Sequence, residues 1–253
     1  MTRTDPGTAT GVAGAPGAAR AVRALWVFWA LVVLHLVAIG AGIDPLRLAT
    51  KPLLVPALAA CAAARGGPRL LLGALACGWA GDVLLEIGGT VAFLLGMGCF
   101  AAGHVCYLRL FAARGALRGA RARCAVYAVV WAVLVVLLWP GLDAGLRVPV
   151  AVYSLLLTAM AAGAFGLGRT GAAGGLLFLL SDGMIAAGLA DWPRPPAHDL
   201  WIMLTYAVAQ FCLVRAVQTP AEPGVPGNAE RDAAAYGGNA PADRPRTPPL
   251  TTE

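Results

Sequence analysis

Residues 24–42 read ALWVFWALVVLHLVAIGAG, a run in which His35 is the sole ionisable side chain. At roughly 1.5 Å per residue in a helix such a run is about 28 Å long, close to the roughly 30 Å of a bilayer's hydrocarbon core. Seven further apolar runs follow, at about 48–64, 69–87, 91–113, 123–140, 147–167, 171–190 and 199–217, each near the roughly 20 residues of a spanning helix. Pro52 falls where a first helical turn tolerates proline, and Pro140-Gly141 and the stretch from Trp192 to Pro196 read as stops. The fold expected is an all-α membrane protein, a bundle of eight transmembrane helices over residues 23–217.

Composition says the same. Of the 253 residues 59% are hydrophobic and 13% charged, with a mean hydropathy of +0.73. A soluble domain carries about 25% charge, so a water-soluble fold is excluded. The spans and their short connectors leave no room for a separate folded domain. Residues 1–22 and 218–253, rich in Ala, Gly, Pro and polar residues without apolar periodicity, are expected to be disordered tails. Arg20 and Arg23 flank the first span as in a signal peptide, but the long leader and the lack of a clear cleavage site predict a retained anchor.

The net charge of +6 is informative through its placement. Only Arg47, Lys51, Arg147 and Arg194 fall on one side of the eight-span layout; the remaining fifteen of the 19 Lys/Arg fall on the other, five of them (Arg109, Arg114, Arg118, Arg121, Arg123) around the fourth loop. Under the positive-inside rule both termini are then cytoplasmic, in a multi-pass protein of the cell membrane. No basic run with interleaved aromatics suggests nucleic acid. The six cysteines lie in or beside apolar runs as small fillers, and the three histidines are scattered, so neither a metal site nor another cofactor is expected.

A weak echo links the two halves. FAAGHVCYLR over 100–109 matches YAVAQFCLVR over 206–215, and Gly81-Asp82 in the preceding span answers Ser181-Asp182. Four spans per half would allow a 4+4 parallel duplication, with chance similarity as the alternative in an Ala/Leu-rich chain.

In hydrocarbon an ionisable side chain costs at least a few kcal/mol, which makes each one within a span a functional candidate. The set is Lys51, Asp82, Glu86, His104 and Asp182, with His35 in the first span; its polar neighbours include Tyr107, Tyr153, Ser181, Tyr206 and Gln210. Counted from the outer end, Asp82 lies about a turn down, Tyr153 and Tyr206 about two, Asp182 and Gln210 near mid-span, and His104 slightly past it. One cleft from the outer interface to mid-membrane accommodates them all. Each has a structural alternative: the aspartates as helix caps or partners of Lys51, Lys51 as a snorkelling anchor, His104 as a helix–helix hydrogen bonder, the tyrosines as packing or belt residues. Glu86, near a span end, reads as solvated, and His35 as structural or exposed.

At these residues the sequence resembles the YhhN family of membrane proteins, which includes the lysoplasmalogenases. The resemblance rests on Thr50-Lys51-Pro52-Leu53, Gly81-Asp82-Val83-Leu84-Leu85, Phe93 and Gly96 through His104 and Tyr107, Tyr153, Gly175 and Phe178 through Ser181-Asp182, and Tyr206 with Gln210. It implies a hydrolase that cleaves the vinyl ether bond of a lysoplasmalogen, a lysophospholipid substrate drawn from the membrane lipids, to a fatty aldehyde and a glycerophospho-base. That reaction needs an acid still protonated near neutral pH and an anion or base beside the cation that forms, which two carboxyl groups in one dry cleft can supply. Asp82 and Asp182 are the catalytic candidates, in either order. Lys51 is expected on the phosphate, with His104, Tyr107, Tyr153, Ser181, Tyr206 and Gln210 orienting substrate, water or the carboxylates. A Ser-His-Asp mechanism is weaker, because no nucleophile elbow surrounds a serine and an enol ether offers no acyl carbon. The competing classes are a small-solute or lipid transporter, which the buried carboxylates and Gly-rich spans also suit, and a non-catalytic lipid-binding protein.

Overall fold

A computed structural model describes residues 15–219, and there the chain forms eight long helices. They are α1 (Ala15–Gly40), α2 (Asp44–Ala64), α3 (Arg69–Ile87), α4 (Thr90–Ala113), α5 (Arg121–Leu138), α6 (Ala144–Ala164), α7 (Arg169–Leu189) and α8 (His198–Gln218). All eight are long and apolar enough to cross a membrane. Their surfaces agree: Val126, Val129, Val133 and Val136 of α5, and Trp26, Val33 and Val37 of α1, are exposed, as lipid-facing positions must be.

Consecutive helices pair as α1–α2, α3–α4 and α7–α8, the first two joined by tight turns and the last by the longer connector 190–197. The α3–α4 turn uses Gly88 and Gly89, both at positive φ (77° and 82°), where a side chain would be strained. α8 is the central post, with ten buried residues, and packs on α7, α1 and α2. Phe28 of α1, Leu58 of α2, Leu75 of α3, Phe111 of α4, Met160 of α6 and Phe178 of α7 close the core around it. α5 is the opposite case. No residue of α5 is buried, and its main neighbour is α6, to which Trp131 Nε1 donates a 3.0 Å hydrogen bond at Ser154 Oγ.

Two local features position the site. α2 contains Pro52 and Pro56, and the missing N–H of Pro56 leaves the Pro52 carbonyl without its helical donor. Trp79 Nε1 of α3 donates to that carbonyl at 2.8 Å, which ties the turn after Lys51 to α3. Between α3 and α4, Gly81 faces Gly96 and Phe100: a Cβ on Gly81 would stand 2.6 Å from the Phe100 ring. Small residues here let the two backbones approach closely.

α1 begins at Ala15, not near Ala24. Residues 15–22 are rich in alanine, the strongest helix former, and Ala21 is buried. Hydropathy ends the span early because Arg20 and Arg23 are polar, whereas helix propensity carries it on. At the other end Gln218 is still helical, and its Nε2 donates to Ala62 O at 2.9 Å. The remainder of both expected tails, residues 1–14 and 220–253, lies outside the described residues.

Candidate functional site

Helical spacing puts Gly78, Asp82 and Glu86 on one face of α3. Gly78 is the enabling position, since a Cβ there would come within 3.3 Å of Gln210 Nε2 and 3.6 Å of the Tyr206 hydroxyl. Its absence lets the polar groups of α8 reach α3. Tyr206 donates to Asp82 Oδ2 at 2.7 Å, Gln210 Nε2 donates to the Tyr206 oxygen at 3.2 Å, and Tyr107 of α4 donates to Gln210 Oε1 at 3.0 Å. The chain of donors runs one way, from α4 through α8 to the Asp82 carboxyl.

A second chain mirrors it. Tyr153 of α6 donates to Asp182 Oδ2 of α7 in a short hydrogen bond, and His104 Nε2 lies 3.2 Å from the Tyr153 oxygen. With the Tyr153 proton committed to Asp182, His104 must be the donor, so its proton sits on Nε2; its buried Nδ1 makes no hydrogen bond among the described residues. Phe178 separates the chains, with its ring centroid 5.0 Å from that of His104 and 5.5 Å from that of Tyr206, both edge-on.

Asp82, Asp182, Tyr153, Tyr206, Ser181 and Lys51 line one cavity of about 100 Å3, whose other walls are apolar: Phe100, Met97, Val150 and Met203 among them. Each carboxyl lends Oδ2 to a tyrosine; among the described residues Oδ1 of neither aspartate makes a hydrogen bond. The site thus holds two oriented carboxyl groups with free oxygens in one small apolar chamber. Such a pair can deliver a proton and stabilise an adjacent cation.

At the mouth stands a charge cluster. Lys51 Nζ is 2.5 Å from Glu86 Oε1, and Arg47 Nη1 approaches both Glu86 oxygens at 3.2 and 3.4 Å. Arg47 Nε also pairs with Asp44 at 3.3 Å, and all ion pairs among the described residues fall in this cluster. The Glu86 side chain is only 18% exposed, which corrects the reading of it as a solvated span end. Two cations from α2 fold over it, and no position count along α3 alone could reveal that. Neither aspartate pairs with Lys51.

Of the residues singled out from sequence, six therefore meet at the cavity wall. His104, Tyr107 and Gln210 stand one layer behind, holding the tyrosines that hold the carboxyl groups. The Ser181 hydroxyl donates to Ile202 O at 3.0 Å, and Ser154 accepts from Trp131, so neither serine is paired with a histidine. His35 is buried, its Nδ1 2.8 Å from Thr50 Oγ1, joining α1 to α2. Sequence reasoning misses Arg47 and discounts Glu86 as a solvated span end although it shares a face of α3 with Asp82, because the cations that cover it come from another helix.

An eight-helix integral membrane protein with a carboxyl-lined intramembrane chamber and an ion-pair cluster beside it is the class these features define. The YhhN family matches residues 46–217, and the chain belongs to that family. It is similar to the lysoplasmalogenase TMEM86B of Homo sapiens, 34% identical over 165 residues, which are 61% of this chain and 66% of the human protein. The rat protein of the same name is 34% identical over 173 residues, covering 67% of this chain and 72% of the relative. The chain thus spans just under two thirds of the human protein's length. No solved structure matches the chain.

Proposed function

We propose that this protein is a membrane ether hydrolase that cleaves the vinyl ether bond of lysoplasmalogen-type lysolipids, releasing a fatty aldehyde and a glycerophospho-base. The observation that carries the proposal is the pair of carboxyl groups, Asp82 and Asp182, each oriented by its own tyrosine and each with an oxygen free in the same cavity. The names of the relatives point the same way.

One aspartic acid transfers its proton to the outer carbon of the double bond, leaving an oxocarbenium ion at the carbon that bears the ether oxygen. The other carboxylate, across the cavity, stabilises that cation and takes a proton from the water that attacks it. As the hemiacetal breaks its bond to the glycerol oxygen, the carboxyl group that took the water's proton gives it to that oxygen, and the first aspartate, now a carboxylate, takes the proton of the hemiacetal hydroxyl as the aldehyde forms. The sum is one water consumed, one aldehyde and one alcohol formed, with both carboxyl groups returned to their starting states. Tyr206 and Tyr153 fix the carboxyl planes throughout; Gln210, Tyr107 and His104 fix the tyrosines. Lys51 and Arg47, at the mouth, take the phosphate, with Glu86 holding both cations in place until the lipid arrives.

The test is to incubate purified protein with a panel of lysolipids, alkenyl, alkyl and acyl, and to measure released aldehyde. Aldehyde from alkenyl lysolipids alone is the expected result. Absence of turnover in detergent, with substrate movement only when the protein separates two compartments, would favour a transporter.

A further inference from the structure

A second and larger cavity, about 630 Å3, lies between α5, α6 and α7. Its walls are almost wholly apolar, with Val130 and Leu134 of α5, Leu157 of α6 and Leu180 of α7 as examples, and it reaches from Val126 to Leu138 along α5. At 1.5 Å per residue that is roughly 18 Å along the helix. It shares Val150, Tyr153, Asp182 and Ala186 with the carboxyl-lined chamber, so the two spaces meet at the Tyr153–Asp182 pair. Because α5 buries no residue, and Val130 and Leu134 that line the cavity are also half exposed, the space is open sideways to the bilayer.

We infer that this groove holds the hydrocarbon chain of a single-chain lipid, entering sideways from the bilayer between α5 and α6 with its reactive end at Tyr153 and Asp182. The inference rests on the hydrolase reading for the identity of the reactive end. Three observations select the occupant. The groove is predominantly apolar, with Tyr127, Arg147, Ser154 and Thr158 its polar wall residues besides Tyr153 and Asp182, and it meets the carboxyl chamber at one place, which matches an apolar chain whose reactive bond lies at that junction. Its volume lies within the roughly 300–1,000 Å3 of small-ligand sites, room for one hydrocarbon chain. Its walls face lipid, so no aqueous solute has reason to enter.

Bilayer tails are as apolar as the groove, and moving a chain between them gains nothing from burial alone. What the groove contributes is position. A chain laid along α6 and α7 aims the bond at its head toward Asp182, and displacement by about 1 Å costs on the order of 100-fold in rate.

The experiment uses the full chain in nanodiscs, with alkenyl lysolipids of 8 to 18 carbons and with an acyl lysophosphatidylcholine carrying a mid-chain diazirine. Val130→Trp and Leu134→Trp fill the groove from half-exposed positions. In both, turnover of 16- and 18-carbon substrates should fall about tenfold or more relative to that of the 8-carbon substrate. Photolabel should map to α5, α6 and α7 and be displaced by excess unlabelled lysolipid. An unchanged chain-length profile, with label spread over α1 as well, would overturn the groove while aldehyde release upholds the hydrolase. Label in the groove that excess lysolipid fails to displace would do the same, since it reports bulk lipid only. Competed groove labelling without turnover of any lysolipid would uphold the lipid slot and overturn the hydrolase reading.

Discussion

Asp82→Asn and Asp182→Asn each retain an oxygen that can accept the tyrosine's hydrogen bond, while removing the proton that a carboxyl group can give. Both variants should insert and purify as wild type and lose roughly 100- to 10,000-fold in aldehyde release, the range for a general acid or base. Full activity in either would remove that aspartate from the mechanism; failure of both to accumulate would assign them to helix packing. Lys51→Ala should mainly raise the apparent KM, because a phosphate contact made equally in ground and transition state does not alter kcat. Turnover measured over a range of substrate concentration separates the two. These residues were legible in the sequence because a charge inside an apolar run stands out by itself. Glu86 was not, because its environment is made by Arg47 and Lys51 from another helix.

At the scale of helices, the approach of α3 to α4 depends on Gly81. Gly81→Ala would place a methyl group 2.6 Å from the Phe100 ring and 3.0 Å from Gly96 O, and so push apart two helices that carry the chamber wall. Overpacking of this kind costs about 1–3 kcal/mol, which thermal unfolding in detergent would read as a lowered midpoint. Gly98→Ala, on the facing helix α4, is the control: a Cβ there meets nothing within 4 Å, and the variant should match wild type. Trp79→Phe leaves the Pro52 carbonyl without a donor, so α2 should shift at Lys51 and weaken substrate binding more than stability. The existence and order of all eight helices could be read from hydropathy alone, since apolar length is the property a bilayer selects. Their ends could not be read as well, as Ala15 shows, because hydropathy and helix propensity disagree where alanine and arginine alternate. The pairing of one helix with the next was also not legible, for it rests on glycines that look alike in a sequence with 32 of them.

For the molecule as a whole, we propose from the charge bias that the basic loop between α4 and α5 and both termini face the cytoplasm. Reporters fused to either end should score cytoplasmic, and an exterior signal from a carboxy-terminal fusion would reject that orientation. α3–α4 and α7–α8 are both closely packed pairs, yet α1 packs on both α2 and α8 whereas α5 leans chiefly on α6. That unburied α5 has a practical consequence for anyone handling the purified protein. A helix with no neighbour on most of its surface takes on whatever amphiphile surrounds it, and a maltoside with one alkyl tail has the same outline as a lysolipid. Such a detergent should behave as a competitive inhibitor: apparent KM should climb with micelle concentration at constant maximal rate, and more steeply for dodecyl than for octyl tails. Exchange into a bilayer of two-tailed lipid should then restore apparent affinity without any change to the polypeptide.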